Sequence, residues 1–214
     1  MKNLEIYLIL NTKTHLTIGS GNNEFIHSAD IAQLRRKKDK VKRICIPATT
    51  FKGILRTSAI QIAHFLLDNN INYCKTVHTE ELCGKCIICN IFGANNKPSK
   101  IYCEDCFPTI KDTIELKNFT QTRIERNTGK SEKGGLFTRE QIPPDIEFET
   151  TLIGKNLTND EESLLLFALN NMNFCSFGNS NGLMEIKIKE IKNLSREEEL
   201  IKKILQKMGY NEGT

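Results

Sequence analysis

The run Ile46-Pro47-Ala48-Thr49-Thr50-Phe51-Lys52-Gly53-Ile54-Leu55-Arg56-Thr57-Ser58-Ala59 sets how the rest of the chain is read. It reads as the end of a strand, a proline turn, and a helix to about Leu67. Thr49 or Thr50 is placed to cap the first turn. Phe51, Ile54, Leu55, Ser58, Ile62, Phe65 and Leu66 recur at helical spacing and predict one buried stripe. Lys52 and Arg56 lie one turn apart beside that stripe, near the positive end of the helix dipole, and Gly53 leaves room for another backbone. A helix start furnished in this way suits a phosphate. An ordinary amphipathic helix with two solvated cations would use the same residues.

Working outward, the sequence is 214 residues long with a formal net charge of +4. That length allows one sizeable core with an inserted subdomain. The charge is local rather than global: seven of the nine residues from Arg35 to Arg43 are Lys or Arg. A basic block on a near-balanced chain points to a polyanion. The short apolar run Ile6–Leu10 is too brief for a signal peptide, and no stretch approaches a membrane span. The expectation is a cytoplasmic protein, with no membrane partner and reduced cysteines.

On either side of the organising helix, alternation predicts strands at Leu4–Leu10, Ile101–Phe107, Ile146–Leu152 and Met184–Ile188. Thr158 and Glu161 form a capping-box pattern ahead of Leu164, Leu165, Phe167 and Ala168. Ser195 and Glu198 are placed to cap a closing helix, about 196–208, ended by Gly209. Residues 71–98 read as an insertion tied by cysteines. Residues of about 117–145 read as a protruding hairpin, with Asn127-Thr128-Gly129 and Gly134-Gly135 as breakers. The element order fits an α+β fold, a ferredoxin-like βαββαβ core in a single domain spanning 1–214.

Five of the eight cysteines fall between Cys83 and Cys106. His78, Cys83, Cys86 and Cys89 offer one imidazole and three thiolates at spacings that let a turn present them to one ion. Soft ligands of this kind select zinc, in a closed structural site. Cys103-x2-Cys106 is a second pair that could compete for a place. Asp30, in a polar loop ahead of the basic block, is the residue type that can hold Mg²⁺ or activate a ribose hydroxyl. His27 could serve the same chemistry. The segment Arg123–Gly129, continuing to Leu136–Glu140, mixes cations with apolar residues and could wedge between stacked bases.

Taken as a set, four stretches resemble the RAMP superfamily of CRISPR-associated proteins, and within it the repeated backbone subunit of type III (Csm/Cmr-type) effector complexes. Ile46–Arg56 is similar to that family's Ile-Pro-Gly-Ser-Ser-Leu-Lys-Gly-x-x-Arg helix start. Cys86-Ile87-Ile88-Cys89-Asn90-Ile91-Phe92-Gly93 is similar to its Cys-x-x-Cys-x-Leu-Phe-Gly knuckle. Arg123–Gly129 with Gly135-Leu136-Phe137 resembles its thumb hairpin, and Gly178–Gly182 its glycine-rich loop.

The resemblance implies an RRM-like subunit that polymerises with copies of itself along a guide CRISPR RNA, beside other type III effector subunits. Complementary target RNA would be cut at regular intervals by a loop aspartate with Mg²⁺ or another divalent metal. Asp30 matches that position, although His27-Ser28-Ala29 stands where the family carries glycines. The implied RNA contacts are Arg35, Arg36, Lys37, Arg43, Thr49, Lys52, Arg56, Arg123, Arg126, Gly178, Asn179, Ser180 and Gly182. The alternative within the same family is a non-catalytic RNA-binding backbone or capping paralogue.

Overall fold

Alternation of Leu4, Ile6, Leu8 and Leu10 with Glu5, Tyr7 and Ile9 gives the sheet one dry face and one open one. The computed structural model describes residues 3–20, 32–66, 73–110, 113–195 and 199–210. In chain order these form β1 (Leu4–Thr12), β2 (Arg35–Lys38), β3 (Val41–Ile44), α1 (Ala48–Leu66), α2 (Ile87–Phe92), β4 (Ile101–Cys103) and β5 (Phe107–Pro108). Then follow β6 (Lys117–Ile124), β7 (Ser131–Gln141), β8 (Glu147–Gly154), α3 (Asn159–Asn171), β9 (Met184–Lys192) and α4 (Glu199–Lys207).

The result is a mixed α+β protein whose main sheet is antiparallel. β1 lies at its centre, paired with β8 on one side and β9 on the other; β4 and β5 both add to the far edge of β8. Leu4, Ile6, Leu8 and Leu10 are at most 2% exposed. Phe148 and Leu152 of β8 and Met184, Ile186 and Ile188 of β9 join them. At about 1.5–3 kcal/mol for each large apolar side chain buried, this face is the main source of stability. α1 and α3 cover it and pack on one another.

Several expectations change in detail. The buried residues of α1 are Phe51, Leu55, Ala59 and Ala63, every fourth position, with Ser58 beside them, whereas Phe65 is 79% exposed and Leu66 39%. Ser58 is accommodated there because its hydroxyl donates to the Ala168 carbonyl of α3 at 2.7 Å. The strand expected over Ile101–Phe107 is broken at 104–106. There Cys106 exchanges backbone hydrogen bonds with Ile46 instead. The basic block folds as its own hairpin, β2–β3, around Asp39 and Lys40, both at positive φ as a two-residue turn requires.

The capping box of α3 is present as expected: Thr158 accepts from the Glu161 N–H while the Glu161 carboxylate accepts from Thr158. Glu161 also receives Lys100 at 2.6 Å, so the start of α3 is tied to the chain entering β4. The Ser195 hydroxyl and N–H both donate to the buried Glu162 of α3. Glu198 lies outside the described residues.

Two glycines separate packing from backbone freedom. At Gly178, φ is +65°, and a Cβ would overlap the Thr17 carbonyl and lie 2.9 Å from Ile18 Cδ1. Gly53 sits in the helix with nothing within 4 Å of a Cβ. Gly178→Ala is expected to cost about 2 kcal/mol or more. Gly53→Ala should stabilise by about 0.5–1 kcal/mol. Urea unfolding of the two variants checks both signs.

Candidate functional site

Four sulfurs meet at the base of α2. Cys74, Cys83, Cys86 and Cys89 present ligand atoms that all lie within 4.8 Å of one another, with Cys74 Sγ 3.7 Å from Cys89 Sγ. Gly84 at φ +69° makes the tight turn between Cys83 and Cys86. That turn aims the N–H groups of Lys85 and Cys86 at Cys83 Sγ, at 3.4 and 3.3 Å, and the Cys83 N–H at Cys74 Sγ, at 3.1 Å.

These amides hold the Cys83 thiol down to about 6, Lys85 contributing most. Burial pushes Cys89 up to about 12 and raises Cys74 as well. A set in which one thiolate is stabilised by amides and its neighbours are penalised by burial fits a cation at the centre. The residues present therefore suit a structural metal.

The sequence expectation placed His78 in the fourth position; the structure places Cys74 there. His78 is exposed, at the start of a short 3-10 turn over Thr79–Glu81, and its N–H donates to Thr76 Oγ1. The turn carries the chain past the cluster. Cys74 returns to the cluster from the beginning of the insertion. A thiol nine residues before Cys83 was the available signal. Cys103 and Cys106 are buried elsewhere, on the sheet edge, and do not join the group.

The expected phosphate seat at the α1 N-terminus is already filled. Asp105, from the break between β4 and β5, accepts the Ala48 N–H at 2.8 Å. Arg36 Nη1 donates to both oxygens of that carboxylate, at 2.8 and 2.7 Å. Neither Thr49 nor Thr50 does the capping among the described contacts; a carboxylate 57 residues away does. Lys52 turns inward onto Ser99 Oγ at 2.6 Å and the Ile101 carbonyl at 3.1 Å. Burial pushes its ammonium below the ordinary value.

Other cations of the expected set are also engaged. Arg35 pairs with Glu140 at 3.2 Å. Arg43 donates to the carbonyls of Pro108 and Ile110. Lys37, Lys40 and Lys42 are exposed without an ion-pair partner among the described residues. Arg56 is half-buried, and its Nε and Nη2 find no partner among the described residues. Arg123 and Arg126 stand on the β6–β7 hairpin, where residues 120–134 are exposed throughout.

The glycine-rich loop closes on itself through Phe177 and Gly182 and docks on residues 15–18. The Ser180 hydroxyl accepts the Thr17 N–H and donates to the His15 carbonyl, so it is used internally. Asn179 remains exposed, with Arg139 bound to its carbonyl at 3.1 Å. Asp30 and His27 lie outside the described residues. The neck of their segment does not: Ser20 N–H meets the Ala32 carbonyl, and Leu34 N–H the Ile18 carbonyl.

On the open face of the sheet Glu5, Glu147, Glu149, Glu185 and Glu190 lie with Lys187 and Lys192 around Tyr7 and Ile9. Lys13 and Lys38 reach Glu185 and Glu149 from outside, at 2.8 and 3.4 Å, so the face is close to balanced in charge.

Purified chain should bind about one metal ion, as one closed tetrahedral site does. Cys74→Ser is expected to lower the bound metal severalfold, whereas His78→Ala should leave it unchanged. Inductively coupled plasma measurement on both variants decides between the two fourth ligands.

The family model described as RAMP superfamily matches residues 9–185. No curated protein matches the chain. The matched span runs from β1 into β9 and takes in the cysteine cluster, the hairpin and the glycine-rich loop, so this chain belongs to the RAMP superfamily.

Proposed function

We propose that the chain is a repeated backbone subunit of a type III CRISPR RNA-guided effector complex. In this reading it binds guide RNA and cleaves complementary target RNA at regular intervals through Asp30. The observation that carries the reading is the β6–β7 hairpin. Residues 120–134 leave the body entirely exposed, bearing Arg123, Arg126, Lys130 and Lys133 together with Ile124 at 59% exposure; Leu136 follows at 70%. An apolar and cationic ribbon without a core of its own is suited to nucleic acid, its cations on phosphates and its apolar residues against bases. The superfamily match supports the same assignment.

The core strand order, β4/β5–β8–β1–β9 with α1 and α3 on one face, supports a ferredoxin-like reading. Four thiolates in a closed set support zinc as the metal, with no open position for chemistry. No described helix is long and apolar enough to cross a membrane; the cytoplasm is the proposed location. Copies of the chain along the guide and other type III effector subunits are the proposed partners. Guide contacts are assigned to Lys37, Arg56, Arg126, the exposed end of the glycine-rich loop, and Arg123, which also lies 3.6 Å from Glu132. Arg36, Arg43 and Lys52 are spent within the fold.

In the proposed reaction the hairpin splays the target backbone so that a 2′-OH lies in line with the adjacent phosphate. The Asp30 carboxylate takes the hydroxyl proton, the 2′-oxygen bonds to phosphorus, and the bond to the 5′-oxygen breaks, leaving a 2′,3′-cyclic phosphate and a 5′-hydroxyl that takes its proton from water. Mg²⁺ or another divalent ion, when bound, would offset charge at the phosphate. General-base action is worth about 10²–10⁴-fold.

Asp30→Ala, assembled into the complex with matched target RNA and Mg²⁺, is expected to lose regularly spaced products by about that factor while retaining guide RNA. Asp39→Ala and His27→Ala should still cut. If Asp30→Ala cuts with unchanged spacing, the aspartate assignment fails. If even the wild-type complex leaves the target whole, the non-catalytic paralogue is the correct reading; His27-Ser28-Ala29 in place of glycines is the feature that favours it.

A further inference from the structure

The base of the β6–β7 hairpin and the neck of segment 21–31 share one buried carboxylate. Glu140, the next-to-last residue of β7, is 8% exposed. Its Oε2 accepts the Gln33 backbone N–H at 2.8 Å and the Arg35 guanidinium at 3.2 Å. Arg35 also donates to the Gln33 carbonyl at 3.2 Å, closing a ring of contacts around one residue of the neck.

On the other arm of the neck, the Thr17 hydroxyl donates to the Glu140 carbonyl at 3.0 Å. The Gln33 side chain, itself 1% exposed, accepts the Ile18 N–H at 2.8 Å. Leu16 and Ile142 exchange backbone hydrogen bonds directly below. Both arms, 16–20 and 32–35, are therefore fastened to the last residues of β7. A carboxylate this deeply buried is costly unless it is paired, and among the described residues its partners all belong to the neck.

We propose that Glu140, with Arg35, is a positioning residue pair that fixes the neck of segment 21–31 to the root of the hairpin. Arg35 is then a structural cation rather than a phosphate ligand. This rests on the proposed cleavage function for its catalytic consequence, because the hairpin that engages the target and the neck that leads to Asp30 are held in one geometry by the pair.

Two measurements test the pair. In the assembled complex, Glu140→Gln keeps an acceptor for the Gln33 N–H but loses the charge, and Arg35→Lys keeps the charge but loses the second grip. Each is expected to slow single-turnover cleavage about 10- to 100-fold, the scale of a misplacement near 1 Å. Guide affinity, its salt dependence and the target concentration for half-maximal rate should stay within about twofold. The double variant should be little worse than the poorer single one, as for residues acting as a unit.

Wild-type rates in Glu140→Gln, beside an inactive Asp30→Ala, would overturn the positioning role alone. A drop in guide affinity for Arg35→Lys that matches the drop in rate would make Arg35 an RNA contact and overturn it too. Hydrogen exchange on the free chain gives a readout independent of cleavage. Glu140→Gln should speed exchange severalfold across 16–20 and 32–35 while leaving β1 and β8 protected. Unchanged exchange in the neck, or loss of protection throughout the sheet, would count against the proposal whether or not the complex cuts.

Discussion

Asp105 joins three parts of the chain that are far apart in sequence. Its carboxylate caps α1 at Ala48, anchors the β2–β3 hairpin through Arg36, and stands in the break that splits β4 from β5. The break is what delivers it. With Cys106 paired to Ile46 in both directions, at 3.0 and 2.8 Å, the chain is pulled off the edge of β8 to the foot of the helix. A carboxylate at a helix start stabilises it by about 0.3–1 kcal/mol when exposed, and by up to about 2 when partly buried. It also fixes the sign of the site. A phosphate brought to the same amides would have to displace a negative charge already held by an arginine.

Charge that looks available in the sequence is therefore largely consumed. Of the basic block, Arg35, Arg36, Lys38 and Arg43 hold Glu140, Asp105, Glu149 and two carbonyls. What remains lies at the tip of β2–β3, on Arg56 and along β6–β7. The open sheet face carries glutamates largely paired to lysines, whereas exposed cations stand on the two hairpins. Exposed cations of this kind give salt-dependent, sequence-independent affinity.

The parts of this fold legible in the sequence are the local ones. β1, β8 and β9 announce themselves by alternation, because a half-buried strand needs period two. The α3 capping box needs only two residues, three apart. The β6–β7 hairpin follows from breakers flanked by strand formers. What escaped is non-local: Asp105 meets Ala48 across 57 residues and Glu140 meets Gln33 across 107. No spacing rule reaches that far. Phe65 shows the limit of periodicity itself: its position continues the stripe, yet it is 79% exposed. For Asp30, residue type and place leave it level with His27 and the resemblance alone singles it out; its segment lies outside the described residues.

The cysteines show why counting ligand types could not settle the metal site. Cys45 and Cys103 are pushed up to about 12 by burial, and Cys106 higher still; they behave as small apolar side chains on the sheet edge. Cys83 goes the other way, down to about 6, because backbone N–H groups of a glycine turn point at its sulfur. The two groups are identical in composition and close in sequence. The backbone separates them. Among the described residues, amides of the glycine turn reach Cys83 and also Cys89, which burial raises all the same. No backbone amide lowers Cys45, Cys103 or Cys106. Cys74 lies at the seam, raised by burial yet receiving the Cys83 N–H. Its position makes the insertion a closed loop, from the return after α1 to the start of α2. A metal at this set would close that loop and brace α2 against α1, and the loss of conformational freedom in the open chain would add to the stability of the folded one.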